Sequence, residues 1–363
     1  MAPSNPAADL KALNDLITST QTILSQFKAT LSDTTTTAND QKPIANPPNP
    51  LDIFSDAARL LKAHVTKLSL LVLNKPFTPT AVTKVLRELS TTCLPAMIAG
   101  VQICGQERAT YGSLLGREAA ARTRRVFVEL EALVLEIRSV AATGIASGNG
   151  RDSLSTTGVV WESCDSLAEL KMLGMGGLSV QKAEELRETV KDAAEELQEW
   201  AEGGDLESEG QDALFDSDDE GVEGDDNDSF NGIFNAANSL PADRVELKEL
   251  VGKAVEKLKK VEILYKALVK RRLKTYKSVA AVEGKKSSAE YLDELMDGLK
   301  ELPDSIDDMA STFYDLEEED AKTALDECLE KAREIAVLAR LNYDGEEDEF
   351  SAWSKKWIDA VVG

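Results

Sequence analysis

The chain has very few of the residues that build metal sites and disulfide frameworks. Its 363 residues include one histidine and four cysteines, and aromatic residues make up only 5%. A structural zinc site takes four ligands of these types, and no Cys-x-x-Cys pair or second histidine supplies them. Scattered cysteines predict buried, reduced thiols in a reducing intracellular compartment. We therefore expect no metal and no other cofactor; the four cysteines are Cys93, Cys104, Cys164 and Cys328.

Sequence motifs of catalytic sites are also missing. The chain contains no GxxxxGK[ST] loop, no GxSxG elbow and no GxGxxG fingerprint. The GMGGLS stretch around Met175 resembles a phosphate loop only superficially, because no strand precedes it and no lysine follows in register. The single histidine, His64, lies in a helical pattern, where a packing or surface role is expected. We predict that the protein is not an enzyme.

Long apolar runs and an excess of basic residues are both lacking. No uninterrupted apolar stretch reaches the roughly 18 residues that a membrane helix needs, so we expect no membrane partner. The formal net charge is −24. Non-specific nucleic-acid binding needs Lys and Arg to neutralise phosphates, so we expect no direct nucleic-acid binding.

Positive charge is absent from one long segment in the middle of the chain. Residues 202–228 carry thirteen Asp and Glu residues and no Lys or Arg. Such a segment cannot bury enough apolar surface to offset the entropy of ordering it, which predicts a disordered acidic linker over residues 203–239. Within it, Ser217 stands in the sequence Asp-Ser-Asp-Asp-Glu, which acidophilic kinases prefer, and is a candidate phosphorylation site. A serine in an acidic tract also matches this pattern by chance.

What the remaining sequence contains is helical periodicity. Apolar residues recur at steps of three and four, and sustained alternation of apolar and polar residues is not found, so we predict an all-α fold. The predicted helices cover approximately residues 10–31, 51–73, 82–104, 117–146, 159–173, 179–197, 243–282, 291–302, 303–313, 318–341 and 349–362.

Proline, glycine and capping residues predict where these helices start and stop. Thr78 and Pro79 read as an N-cap and first-turn proline, and Pro95 should kink or split the helix that follows. The GMGG sequence should stop a helix, and Pro303 should open one.

The acidic linker divides the predicted helices into two antiparallel bundles. The first domain is predicted over residues 1–202, with a Pro- and Thr-rich linker at 32–50, and the second over residues 240–363. The N-terminal helix, 8–31, is compatible with two placements: in the first bundle, or in the second, since terminal helices often pack together.

A basic run in the second half has the opposite charge to the linker. Thirteen Lys and Arg residues lie between Lys248 and Lys286. One interpretation is a localisation or interaction patch, and the other is a solvated helix face that neutralises acidic neighbours such as the linker. The candidate patch residues are Lys259, Lys260, Lys270, Arg271, Arg272 and Lys274.

Two segments resemble a known family. The first is Val-Val-Trp-Glu-Ser-Cys at residues 159–164, and the second is Tyr-Leu-Asp-Glu-Leu-Met-Asp from Tyr291, followed by a proline, Ile-Asp-Asp-Met-Ala and an aromatic pair. With the acidic insert between them, their order is similar to that of the cyclin-D-binding protein family, also called Grap2-and-cyclin-D-interacting protein. The residues that carry the resemblance are Trp161, Cys164, Asp293, Asp307, Asp308 and Tyr314.

The resemblance implies a non-enzymatic, all-α regulator of the cytoplasm and nucleus. Such proteins bind D-type cyclins, adaptor proteins or helix-loop-helix partners and restrain the cell cycle and transcription. The family's helical domains are similar to the bundles of talin and vinculin, so a structural scaffold that binds cytoskeletal ligands is the alternative function. Helix-in-groove recognition would serve either function.

Overall fold

All regular secondary structure in the described part of the chain is helical. The computed structural model describes residues 6–32, 46–143, 151–203, 240–241, 243–279 and 286–362, and the predicted all-α fold is confirmed over these ranges. Ser217 and residues 204–239 of the predicted linker lie outside them. In chain order the helices are α1 (Pro6–Ser32), α2 (Pro50–Leu73), α3 (Pro79–Gln106), α4 (Arg108–Thr143), α5 (Arg151–Glu202), α6 (Val245–Leu268), α7 (Ser288–Tyr314), α8 (Glu318–Leu338) and α9 (Glu349–Val362).

Local capping chemistry sets the start of α2 and only part of the start of α3. The Asn49 side chain accepts a hydrogen bond from the backbone N–H of Leu51 at 2.9 Å and satisfies one free donor of the first turn of α2. Pro79 opens α3 as predicted. Thr78 occupies the N-cap position as predicted, but its hydroxyl donates to the carbonyl of Pro76 and makes no capping hydrogen bond to the helix.

The predicted proline breaks are replaced by continuous helices. α3 runs through Pro95 and α7 runs through Pro303, so neither helix is split. A proline removes one backbone donor from the ladder. Flanking residues such as Leu94 and Leu302 are fully buried, and their packing holds the helix together across the missing bond.

Two glycines with positive φ interrupt the helices instead. α4 begins at Arg108, earlier than the predicted start near residue 117. Gly112, with φ 68°, interrupts it after its first turn. In α5 the break is at Gly174, with φ 56°, which confirms the predicted stop at GMGG. α5 also starts at Arg151, about eight residues earlier than predicted, because Gly158 is accommodated within the helix.

The first of two compact units contains residues Met1–Leu178 and Ser278–Asp293. Helices α1 to α4 pack against one another in it, so α1 lies with the N-terminal helices. α1 and α4 are antiparallel, since Lys28 pairs with Glu131 and Arg138 donates to Thr18. The core is formed by buried apolar residues of these helices, including Leu13, Ile17, Phe54, Leu61, Val65, Leu86, Phe127, Leu130 and Ile137.

The second unit contains residues Ser179–Lys277 and Glu294–Gly363. α6 and α9 are antiparallel: the Trp357 indole donates to the carbonyl of Lys260 at 2.8 Å, and Arg272 reaches Asp348 at the other end. Trp353 and Trp357, four residues apart on one face of α9, have stacked rings whose centroids are 6.3 Å apart.

The two units divide the chain differently from the predicted domains. Residues 179–202 group with the second unit, and residues 278–293 group with the first. α5 and α7 therefore each contribute residues to both units.

This division predicts the outcome of cutting the chain between residues 204 and 239. A fragment ending near residue 203 lacks residues 278–293 of its unit, and the other fragment lacks residues 179–202. We expect the two fragments to stay associated after cleavage at an engineered protease site and to co-elute from a size-exclusion column with unchanged helical circular dichroism. Separation into two folded fragments would instead support the domains 1–202 and 240–363.

Candidate protein-interaction surfaces

Trp161 and Cys164 lie in the first half of α5 and have different environments. Cys164 is fully buried, and this burial raises the pKa of its thiol to about 12, so the thiol stays protonated. Trp161 keeps 36% of its surface exposed, which is unusual for the largest apolar side chain. Of this pair, Cys164 belongs to the core and Trp161 is available to a partner.

The surroundings of Trp161 follow from the pairing of α5 with α2. The Ser69 and Thr157 hydroxyls are 2.5 Å apart, and Lys62 donates to Asp165 at 2.6 Å. These contacts show that the two helices are antiparallel. The turn of α5 that carries Trp161 therefore lies next to the α2 segment between Lys62 and Ser69. Leu70, at the end of that segment, is 55% exposed.

Asp293 binds the start of a helix in the first unit. Its carboxylate accepts from the backbone N–H groups of Ser113 at 2.5 Å and Leu114 at 2.9 Å. These groups open the long part of α4 after the break at Gly112, where a helix has unsatisfied donors and a positive dipole end. A side chain at Gly112 would place its Cβ 2.3 Å from Cε of Met175 and 2.9 Å from Oδ1 of Asp293. The glycine therefore makes room for the cap, and Asp293 has a structural role.

The other three resemblance residues lie in the second unit. Asp307 and Asp308 are exposed on α7. Tyr314 packs edge-on against Trp200, with ring centroids 5.1 Å apart. The pKa of Tyr314 is raised first by partial burial and then by the negative charges of Glu196 and Asp307. The six residues therefore divide between the units, with Trp161, Cys164 and Asp293 in the first.

Arg272 is not part of an exposed basic patch, and its assignment to one is wrong. Its side chain is fully buried, with the guanidinium bound bidentately by Asp348 at 2.8 and 2.9 Å. Nε donates to the carbonyl of Ala339 at 2.7 Å, and Cζ lies 4.5 Å from the centroid of the Phe350 ring. Because these partners satisfy its hydrogen-bond donors, the buried Arg272 guanidinium holds the start of α9 and the end of α8 against α6. The sequence misses this because a run of basic residues gives no sign of a partner about 76 positions away.

The end of α6 also differs from the prediction, because the position of Arg272 depends on its distant partner Asp348. Instead of continuing to residue 282, α6 ends at Leu268 and passes into a π-helical turn, Val269–Leu273. A π turn widens the helix by one residue and re-aims the side chains that it carries. Here that turn carries Arg272 to Asp348.

The remaining predicted patch residues are only partly available. Lys259 donates to the side-chain oxygen of Gln198, Lys260 donates to the carbonyl of Ala360, and Arg271 pairs with Glu349. Lys270 and Lys274 are exposed. Of these three partners only Glu349 is acidic, so Arg271 alone shows the predicted neutralisation of an acidic neighbour.

α4 carries an exposed apolar stripe that was not predicted. Its buried stripe contains Val126, Leu130, Leu133 and Ile137, whereas Val128 and Leu135 are 45% and 49% exposed on the opposite side. Ala121, Val128 and Leu135 are spaced by seven residues. This repeat is visible in the sequence beside the steps of three and four that mark the buried face. Beside it lies a groove of about 410 Å³ lined by Leu31, Ser32, Arg117, Ala120, Ala121, Arg124, Arg125 and Val128.

The described residues bring no candidate reaction centre together. His64 Nδ1 lies 3.8 Å from Glu88 Oε2, and burial raises the pKa of each cysteine thiol, to about 12 for Cys104. No group of three or more His, Cys, Asp and Glu side chains in the described ranges is placed to hold a metal ion. A search of the same ranges for a helix long and apolar enough to cross a membrane finds none.

Comparisons with known proteins agree with the resemblance. Residues 54–203 match the family model described as "Grap2 and cyclin-D-interacting, N-terminal", which confirms the predicted resemblance over this part of the chain. An uncharacterized protein of Schizosaccharomyces pombe is 27% identical over 328 residues, which are 88% of this chain and 88% of that protein. The family match includes Trp161, Cys164 and the whole of α4.

The cap at α4 predicts a large effect of Gly112→Ala. The substitution forces an alanine into a positive φ and pushes against Met175 and Asp293, so we expect the free energy of unfolding to fall by about 2 kcal/mol. Gly158→Ala in α5 is the control: nothing lies within 4 Å of its added Cβ, and we expect a neutral or slightly stabilising effect. Urea unfolding of both variants checks this, and equal stabilities would contradict the role given to Gly112.

The buried ion pair predicts opposite behaviour for two adjacent arginines. Arg272→Ala should lower the free energy of unfolding by about 3 kcal/mol, because it removes a buried charge and leaves its acceptors unpaired. Arg271→Ala, which breaks an ion pair between exposed side chains, should cost less than about 1 kcal/mol. Denaturant unfolding of the two variants measures the difference.

The same pair predicts a pH dependence. Arg272 lowers the pKa of the Asp348 carboxyl to about 2, so its stabilisation is complete above the unfolded-state pKa of about 4. It is lost as the pH falls from about 4 towards 2. We expect the stability difference between the unsubstituted protein and Asp348→Asn to narrow over that range, and a constant difference would contradict the pairing.

Proposed function

We propose that this protein is a non-enzymatic regulator of the cell cycle or transcription that binds cyclin-type, adaptor or helix-loop-helix partners through surfaces of its helices. The match of residues 54–203 to the cyclin-D-interacting family supports this proposal. The fission-yeast relative is uncharacterized and adds similarity over most of the chain rather than a function.

The observation that carries the proposal is the exposed Trp161 within the matched region. Tryptophan is enriched among the few residues that dominate binding energies at protein interfaces. The pairing of α2 with α5 holds its helix in place, and Leu70 adds exposed apolar surface at the end of the neighbouring α2 segment. A rigid helix that presents a tryptophan loses little entropy when a partner covers it.

The chemistry of the thiols supports a non-enzymatic role. A reactive cysteine needs a lowered pKa and access to solvent. All four cysteines are buried, and burial raises the pKa of each thiol, to about 11 for Cys328. We propose the cytoplasm and nucleus as its location, in line with the family resemblance.

We also propose that the helices form two antiparallel bundles of the talin and vinculin kind, and that Ser217, in the acidic segment 203–239, is phosphorylated. The antiparallel pairs α1–α4, α2–α5 and α6–α9 support the bundle arrangement. The alternative function is a scaffold that binds cytoskeletal ligands through such bundles.

Binding of purified partners to the full chain tests the function. We expect a D-type cyclin or a helix-loop-helix protein to bind, and Trp161→Ala to weaken binding about tenfold or more, since truncating a central interface aromatic costs about 2 kcal/mol. Met172→Ala is the matched control, because Met172 lies on the same helix and is 90% exposed. Calorimetric titration gives the dissociation constants.

Two results would overturn the proposal. One is binding to actin-linked proteins with none to a cyclin or helix-loop-helix protein, which favours the scaffold function. The other is partner binding that Trp161→Ala leaves unchanged, which removes the surface named here.

A further inference from the structure

The outer face of α4 carries an apolar stripe that no described helix covers. Val128 and Leu135 are about half exposed, and Ala121 and Ala132 lie on the same face. The spacing from Ala121 to Val128 to Leu135 is seven residues, the repeat by which one helix packs along another. At 1.5 Å per residue the stripe is about 21 Å long, which matches about four turns of a second helix.

One end of the stripe is concave. The groove of about 410 Å³ lies where the C-terminal end of α1 meets α4, with the 94% buried Leu31 in its wall. Ala120, Ala121 and Val128 complete its apolar lining. A large apolar side chain of a docked helix can be buried there, which an open helix face alone would not allow.

Positive charge surrounds this groove in a protein whose net charge is −24. Arg117, Arg124 and Arg125 all contribute to its walls. Arg125 pairs with Glu162 at 3.1 Å, but both side chains are more than half exposed and can exchange partners. Arg124 is exposed and has no hydrogen-bond or ion-pair partner among the described residues.

We propose that this face of α4 is a docking site for an amphipathic helix of a partner protein whose apolar stripe is flanked by acidic residues. The apolar groove receives an anchor side chain, and the arginines pair with the flanking carboxylates. An apolar stripe four turns long favours a helix over a nucleic acid, whose backbone would leave Val128 and Leu135 uncovered. This inference deepens the proposed function and rests on it, since it names a second surface and the chemistry of the partner.

Synthetic peptides test the site directly with the full chain. The first probe is a fluorescein-labelled helical peptide of sixteen residues with Leu at heptad spacing and Glu on both flanks; the second has Lys in place of each Glu. We expect the acidic peptide to bind at least tenfold more tightly in fluorescence anisotropy, and its affinity to fall with rising salt.

Substitutions on α4 locate the binding. Val128→Ser and Arg124→Glu should each weaken the acidic peptide at least tenfold. Leu60→Ser and Arg59→Glu, two exposed positions of α2, are the matched controls and should leave binding unchanged. All four sites are exposed, and thermal melts followed by circular dichroism check that each variant is folded.

Other occupants give distinct results, each of which overturns the proposal. Binding that appears only after deletion of residues 33–45, which follow Ser32, or of residues 205–228 means that the chain's own segment fills the groove. Duplex DNA that binds with the same sensitivity to Val128→Ser and Arg124→Glu assigns the face to nucleic acid. If the acidic peptide does not bind the unsubstituted protein, this face of α4 is not a docking site for it. The same conclusion follows if the peptide binds and neither Val128→Ser nor Arg124→Glu weakens its binding.

The peptide experiment and the Trp161 experiment fail independently. If the acidic peptide binds α4 while no cyclin or helix-loop-helix protein binds the chain, the proposed function falls and the docking site stands. If a cyclin binds through Trp161 and the peptide does not bind, the reverse holds.

Discussion

One carboxylate joins the last segment of the first unit to the helices formed by its first 178 residues. Asp293 satisfies two backbone donors at the start of the long part of α4, across 180 positions of sequence. The glycine that ends the preceding turn makes this approach possible, because no side chain stands between the carboxylate and the helix end. The cap draws residues 278–293 into a unit otherwise built from the first 178 residues, so the boundary of that unit follows a contact rather than the linear order of the helices.

The second unit has an equivalent long-range contact in Arg272. Its guanidinium joins α6 to Asp348 and to the carbonyls that end α8, inside the core. In both units a charged group satisfies polar atoms at helix ends, where regular hydrogen bonding stops. Apolar stripes supply most of the burial, and these charged contacts select which helix ends meet.

Periodicity was enough to predict most helices, because a buried face leaves a local pattern at steps of three and four. The Leu61–Val65–Leu68 stripe and the Trp353–Trp357 pair are examples. Local signals failed where distant partners decide: Pro303 stays within its helix, and Arg272 is buried. For the candidate surfaces, the family segment identified Trp161, and the scattered cysteines predicted that its neighbour Cys164 is buried. The exposed stripe of α4 was hidden by the stronger buried one.

The discontinuity of the first unit has a consequence for biosynthesis. Its last segment, ending at Asp293, is translated about 115 residues after Leu178. At roughly 5 to 20 residues per second, a ribosome needs on the order of 6 to 23 seconds to add them. During that interval the backbone donors of Ser113 and Leu114 have no carboxylate to bind. The first unit therefore cannot complete its fold until Asp293 has been synthesised, although most of its residues are already present.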